Sequence, residues 1–132
     1  MPISSIKVRD FMTTQVITLR PDMEVMKAVS ILIDHGISGA PVVDELGDVV
    51  GMFTEYDCIK AALHAGYHED MAGTVSEVMV KDVASVHPDT SILDLAEHFV
   101  KKPFRRFLVM QDERMVGMIA RRDVLKALRK IY

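Results

Sequence analysis

The chain has 132 residues, 49% hydrophobic and 27% charged, which suits one soluble globule or two very small ones. A net charge of −3 argues against a nucleic-acid binder of the basic kind, and a single cysteine, Cys58, excludes an internal disulfide. No stretch approaches the roughly 18 apolar residues of a membrane span.

The start, Met1 to Ser5, has no charged region followed by an apolar run, so no secretory signal is expected and a reducing cytoplasm fits the lone thiol. A short β-branched run, Val16-Ile17-Thr18, comes first. Pro21-Asp22 then opens a helix whose apolar residues recur at helical spacing: Val25, Ala28, Val29 and Leu32. Gly36 ends it. Two apolar strands follow, Pro41 to Val43 and Val49 to Phe53, with a turn over Glu45 to Asp48 between them. A last helix carries Ile59, Ala62 and Leu63. After a polar stretch the same order returns. Val83 to Val86 is the first strand, Ile92, Leu95, Ala96 and Phe99 mark a helix ended by Pro103, and Leu108 to Met110 and Met115 to Ile119 are strands. Val124, Leu125, Leu128 and Ile131 mark the final helix.

The copies match residue by residue. An offset of 67 takes Met12 to Met79, Pro21-Asp22 to Pro88-Asp89 and Val42 to Val109. Beyond the hairpin turn the offset is 66, taking Gly51 to Gly117 and Asp57 to Asp123. The expected architecture is α/β (α+β), two tandem β-α-β-β-α repeats packed with pseudo-twofold symmetry. The repeats are 1–66 and 75–132, joined by a linker over 67–74. A unit of about 60 residues is marginal alone, so the two should pack together, and twofold packing creates clefts suited to ligands. The charge is uneven: residues 1–66 carry five Lys/Arg and nine Asp/Glu, residues 67–132 eleven and ten.

Four segments carry a resemblance: Gly36-Ile37-Ser38-Gly39-Ala40-Pro41-Val42-Val43-Asp44, Gly51-Met52-Phe53-Thr54-Glu55-Tyr56-Asp57, Arg105 to Val109, and Gly117 to Asp123. In order and spacing the chain resembles a pair of cystathionine-beta-synthase (CBS) domains, a Bateman module, over about residues 5–130. The resemblance implies a regulatory, non-catalytic protein. Relatives of this kind act on inosine monophosphate dehydrogenase, AMP-activated kinase or chloride channels. They often bind AMP, ADP, ATP or S-adenosylmethionine between the repeats, and commonly dimerise.

It also implies roles for residues. Asp57 and Asp123 would accept hydrogen bonds from ribose hydroxyls, charge-assisted bonds that are among the stronger kind. Thr54, at a strand-to-helix junction, would join backbone N–H groups on a phosphate; the same Thr-x-x-Asp is also an ordinary helix start. Ala120 stands at the matching position of the second copy. Arg105 and Arg106 lie where phosphate-binding basic residues stand in such relatives, with Ser38 and Gly39 in the first copy, and Arg121 and Arg122 could add to them. Base contacts would come from Thr14, Val16 and Thr18 for one cleft and Lys81, Val83 and Ser85 for the other, with Ile37 and Phe104 as apolar walls. No metal is expected: His64 and His68 are four apart, but no metal-ligand spacing accompanies them. No catalytic constellation is present, and neither nucleic acid nor membrane is an expected partner. The alternative is a ligand-free dimerisation or scaffold module that regulates a partner protein. A homodimer is expected, since Met26, Ile33, Leu93 and Val100 widen the apolar stripes of the first helix of each repeat.

Overall fold

The computed structural model describes residues 2–68 and 73–132, except for the side chains of residues 66–68. After two 3₁₀ turns, Ile3–Ser5 and Val8–Asp10, the elements in order are α1 (Val25–His35), β1 (Gly39–Val43), β2 (Val49–Thr54) and α2 (Glu55–His68). Then come α3 (Val75–Val78), β3 (Ser85–Val86), α4 (Ile92–Lys101), β4 (Arg106–Gln111), β5 (Arg114–Ala120) and α5 (Arg121–Ile131). The helices form where the 3.6-residue apolar spacing predicts them. Gly36 closes α1 with φ 61°, a left-handed conformation that costs a residue without Cβ little. Ser91 caps α4 by accepting the Asp94 N–H. Both hairpins are antiparallel, β1 with β2 and β4 with β5, and each register shifts at the same place, Val42/Val43 and Val109/Met110.

The first strands of the repeats are shorter than expected. Val16-Ile17-Thr18 is not a regular strand; only Leu19 bridges, in parallel, to Val42. In the second copy the strand is reduced to β3, parallel to β4. β-Branched residues make extended backbone easy, but only the ladder bonds a neighbour offers make a strand.

The chain divides into two compact units, and they are not the two repeats. One unit is Met1–Val16 with Ala84–Tyr132; the other is Ile17–Val83. Residues 1–16 of the first repeat share a unit with most of the second, and residues 75–83 of the second share one with the rest of the first. Most of the expected linker 67–74 lies outside the described residues. The physical reason is backbone pairing. In the first unit the Val8 N–H donates to the Thr90 carbonyl (2.8 Å) and the Ile92 N–H to the Ile6 carbonyl (2.8 Å). In the other, the Val75 N–H donates to the Met23 carbonyl (2.8 Å) and the Val25 N–H to the Gly73 carbonyl (3.1 Å). These are the same bonds displaced by 67 residues.

Each unit has its own core. Ile6 and Val8 are buried with Ile92, Leu95, Val109, Ile119 and Ala127. Val75 is buried with Leu19, Val25, Ala28, Val42 and Phe53. A buried Val or Leu contributes about 1.5–3 kcal/mol, so the exchanged valines are part of what holds each unit together. The apolar residues expected to seat the last helix of the first repeat do not. Ile59, Ala62 and Leu63 lie on the exposed face of α2, and its buried side is small or acidic, Asp57 and Ala65.

Candidate functional site

β2 ends at Thr54, and α2 begins one residue later. The side chain of Asp57, on the first turn of α2, folds back on this junction. Its Oδ2 accepts from the Thr54 N–H (2.8 Å) and the Thr54 hydroxyl (3.0 Å), and the Asp57 N–H points at Thr54 Oγ1 (3.4 Å). Thr54 and Asp57 thus form a reciprocal helix cap of the Thr-x-x-acid kind. Asp57 is nonetheless one of two buried charged residues among those described, the other being Asp123. Both hydrogen bonds to the carboxylate fall on Oδ2, which leaves Oδ1 without one among the described residues. Burial pushes the neighbouring Cys58 thiol up from its ordinary pKa, with Asp57 adding to the effect.

The rest of this unit supplies the surroundings. Gly39 lies opposite Thr54 in the hairpin, and the Ser38 carbonyl accepts the Glu55 N–H at 2.8 Å, so Ser38 sits at the same junction. Ile37 is half-buried against the core beside it. The second repeat contributes here: Met52 and Val80 exchange backbone bonds of 2.8 and 2.9 Å, which brings the segment leading to Lys81 and Val83 alongside β2. Gly51 permits this approach, because a Cβ there would meet Met79 Sδ at 2.6 Å and the Val80 carbonyl oxygen at 2.9 Å.

The other unit repeats the arrangement with different chemistry. Asp123 Oδ2 accepts the Ala120 N–H (2.8 Å), and Lys126 Nζ stands 3.9 Å from Oδ1. Ala120 has no hydroxyl to join in. Opposite Ala120 in the hairpin stands Arg106, half-buried, where the other unit has Gly39 opposite Thr54. One junction thus carries a hydroxyl and no arginine, the other an arginine and no hydroxyl. Arg105 is exposed at the head of β4, Arg121 and Arg122 are exposed on the first turn of α5, and Phe104 lies edge-on to Phe107 at 5.7 Å. Thr13 exchanges backbone bonds with Met118 (2.8 and 2.9 Å), and Gly117 is packed under Met12 and Thr13 as Gly51 is under Met79 and Val80.

The expected base-contact sets are each split by the division of the chain. Thr14 and Val16 belong to the unit with Asp123, and Thr18 to the unit with Asp57; Lys81 and Val83 belong with Asp57, and Ser85 with Asp123. Gly117, Met52 and Met118 were not expected as site-forming residues; their signal was the invariance of Gly-Met between the copies. Among the described residues no group of His, Cys, Asp and Glu could hold a metal ion, and no helix is long and apolar enough to cross a membrane.

The family model described as "CBS domain" matches residues 8–64 and 75–130. An uncharacterized protein of Methanocaldococcus jannaschii, MJ1225, is 30% identical over 121 residues, covering 92% of this chain and 42% of that protein. This chain thus spans less than half the length of that relative. The structure of CBSX2, a CBS-pair protein from Arabidopsis thaliana, in complex with AMP has a TM-score of 0.84 at 25% identity, covering 96% of this chain and 98% of that one. The CBS domain pair of protein MJ0100 in complex with 5'-methylthioadenosine and S-adenosyl-L-methionine has a TM-score of 0.83 at 28% identity, with the same coverages. Two matched domains over most of the chain, on a mixed helix-and-strand fold shared with these pairs, place this chain in the CBS-domain family as a tandem pair.

Proposed function

We propose that this chain is a non-catalytic regulatory module that binds an adenosyl ligand (AMP, ADP, ATP or S-adenosylmethionine) where the two repeats meet, and passes its occupancy to a partner protein. The observation that carries this reading is the Asp57 carboxylate: buried, fixed by one oxygen to the start of α2, with the other oxygen open to a donor. A ribose hydroxyl is such a donor, and the α2 N-terminus favours the phosphate beside it. Segments of both repeats meet at this junction through the Met52–Val80 pairing. The AMP and S-adenosyl-L-methionine complexes of similar CBS pairs support the ligand class. Arg106 takes the phosphate role at the Asp123 junction, in place of the hydroxyl that Ala120 lacks. We read the module as a homodimer acting in the cytoplasm. A second reading, a ligand-free dimerisation module, draws on the completeness of the Thr54–Asp57 cap, which gives Asp57 a structural use without any ligand.

Calorimetry with AMP and adenosine separates the two readings. Asp57→Ala should abolish ribose-dependent binding at one of two sites and leave the other. Arg106→Ala should weaken AMP at least about tenfold and adenosine little, since hydrogen bonds to charged groups contribute about 1.5–3 kcal/mol. Equal losses for AMP and adenosine would make the arginine structural. No heat with AMP, ADP, ATP or S-adenosylmethionine would leave the scaffold reading, and phosphate release from ATP would overturn the non-catalytic one.

A further inference from the structure

The two glycines that let the exchanged segments cross the hairpins are each roofed by a methionine. Met79 Cγ and Sδ lie over Gly51, and Met12 Cγ and Sδ lie over Gly117. The two methionines stand 67 residues apart and the two glycines 66, so one arrangement occurs twice, once in each unit. Each methionine packs against the core of its own unit and is only half-buried, so the same side chain serves the core and meets solvent. The backbone around it is already engaged. The N–H groups of Met52 and Val80 bond to each other's carbonyls, those of Thr13 and Met118 do the same, and the Met12 and Met79 N–H groups bond to Val8 and Val75. The Val80 and Thr13 carbonyl oxygens face the same glycines as the sulfurs. An oxygen added to either sulfur in place would therefore stand beside an acceptor, with the donors of the crossing taken.

We propose that Met12 and Met79 are oxidation sites, where hydrogen peroxide converts the thioether to a sulfoxide and so loosens the crossing of each exchanged segment. A sulfur lone pair attacks one peroxide oxygen, the O–O bond breaks as the S–O bond forms, and the second oxygen leaves as water. Sulfur gives up two electrons and the peroxide takes them. The product is a polar, chiral side chain where a flexible apolar one stood. It hydrates its new oxygen only by turning off the glycine, which opens the space that the thioether fills. Left in place, it sets one buried acceptor against another without a donor. Either cost falls on the contacts that hold residues 1–16 to the second repeat and residues 75–83 to the first. Two other methionines bracket the expectation. Met26 is 49% exposed on α1 and takes no part in a crossing, while Met52 is 8% exposed. Cys58 competes poorly for peroxide. Burial and the Asp57 charge push its thiol pKa up, and the thiolate is the reactive form.

Graded hydrogen peroxide, peptide mass spectrometry and urea denaturation of the full chain test it. Met26 should take up oxygen first, Met12 and Met79 next, and Met52 last. The urea midpoint should hold while Met26 alone is oxidised, then fall by about 0.5 M or more as Met12 and Met79 convert. Methionine sulfoxide reductases, which act on the sulfoxide and not on oxidised cysteine, should restore it. Met12→Leu/Met79→Leu keeps an apolar side chain over each glycine and removes both sulfurs, so most of the fall should disappear. Met26→Leu should keep all of it. Where the double variant does not fold, the parent's midpoint plotted against oxidation at each methionine decides. Met12 and Met79 that resist peroxide as Met52 does overturn the proposal. So does a midpoint that does not follow their oxidation, a fall that the reductases do not reverse, or one that persists undiminished in the folded double variant.

Discussion

Gly51 and Gly117 show how one absent atom fixes a pairing. Neither needs an unusual backbone angle; both are glycine because another segment crosses within contact of where a Cβ would stand. At Gly117 that atom would lie 2.7 Å from the Thr13 carbonyl oxygen and 2.8 Å from Met12 Sδ. The thioether can turn aside, but the carbonyl cannot move without disturbing the bond it accepts from the Met118 N–H. Gly51→Ala and Gly117→Ala should each cost about 1–3 kcal/mol, read from urea denaturation, the range for overpacking a filled site. A neutral result at either would mean that the exchanged segment yields easily. Asp89 is a second case. The Arg9 guanidinium bonds to its carboxylate and holds its pKa below the ordinary value, with Lys7 and His87 adding to the attraction. A carboxyl lowered in this way stabilises the fold above its unfolded pKa, and the contribution is lost as pH falls through the folded value. Melting temperature measured between about pH 5 and pH 2 should therefore fall less steeply in Arg9→Met than in the parent. The effect should be small and should fade with salt, since the pair is exposed.

The two hairpins are the same element built with different turns. Between β1 and β2 the chain turns with Gly47 at φ 87°, and Asp44 Oδ1 accepts the Leu46 and Asp48 N–H groups. Between β4 and β5 only Asp112 and Glu113 connect the strands, and they take φ 52° and 64°. Two successive positive angles match the right-handed twist of the strands, but only glycine adopts them without steric cost. Aspartate tolerates that region better than glutamate does. Glu113→Gly should stabilise the chain by about 1 kcal/mol, checked by chemical denaturation. A loss would mean that the added freedom of the unfolded chain outweighs the relieved strain. Among the helices, α2 and α5 descend from one pattern but present opposite surfaces. On α2, Asp57 and Ala65 face inward and the larger apolar residues outward. On α5, Val124 and Ala127 face inward while the arginines and lysines face outward. Reading apolar residues as core failed at Ile59 and Leu63 because two apolar stripes fit on one helix, and the helical period does not say which of them the sheet covers.

At the scale of the molecule, repeat and folding unit have parted. A fragment of residues 1–66 lacks Val75 and the Val80 pairing, while its first residues have lost Ile92 and Thr90 as partners. A fragment of residues 17–83 keeps a whole core. By circular dichroism, 17–83 should be helical with a sigmoidal, if low, thermal transition, and 1–66 should show none; cooperative melting of 1–66 would show that the exchanged segments are dispensable. The sequence by itself determined the duplication, the α1 and α4 helices with their stops, both hairpins and the family. These are local or internal comparisons, and Gly36, Pro88 and the Thr54-x-x-Asp57 spacing carry them without reference to distant residues. Only the tertiary structure decided that Met12-Thr13 lies against Gly117 and Met79-Val80 against Gly51, and so which residues share a unit with Asp57. Either repeat could supply an equivalent segment to either hairpin, because duplication makes the two partners nearly alike in pattern. The choice rests on which pairing the folded chain can close, and that non-local contact leaves no periodicity in the sequence.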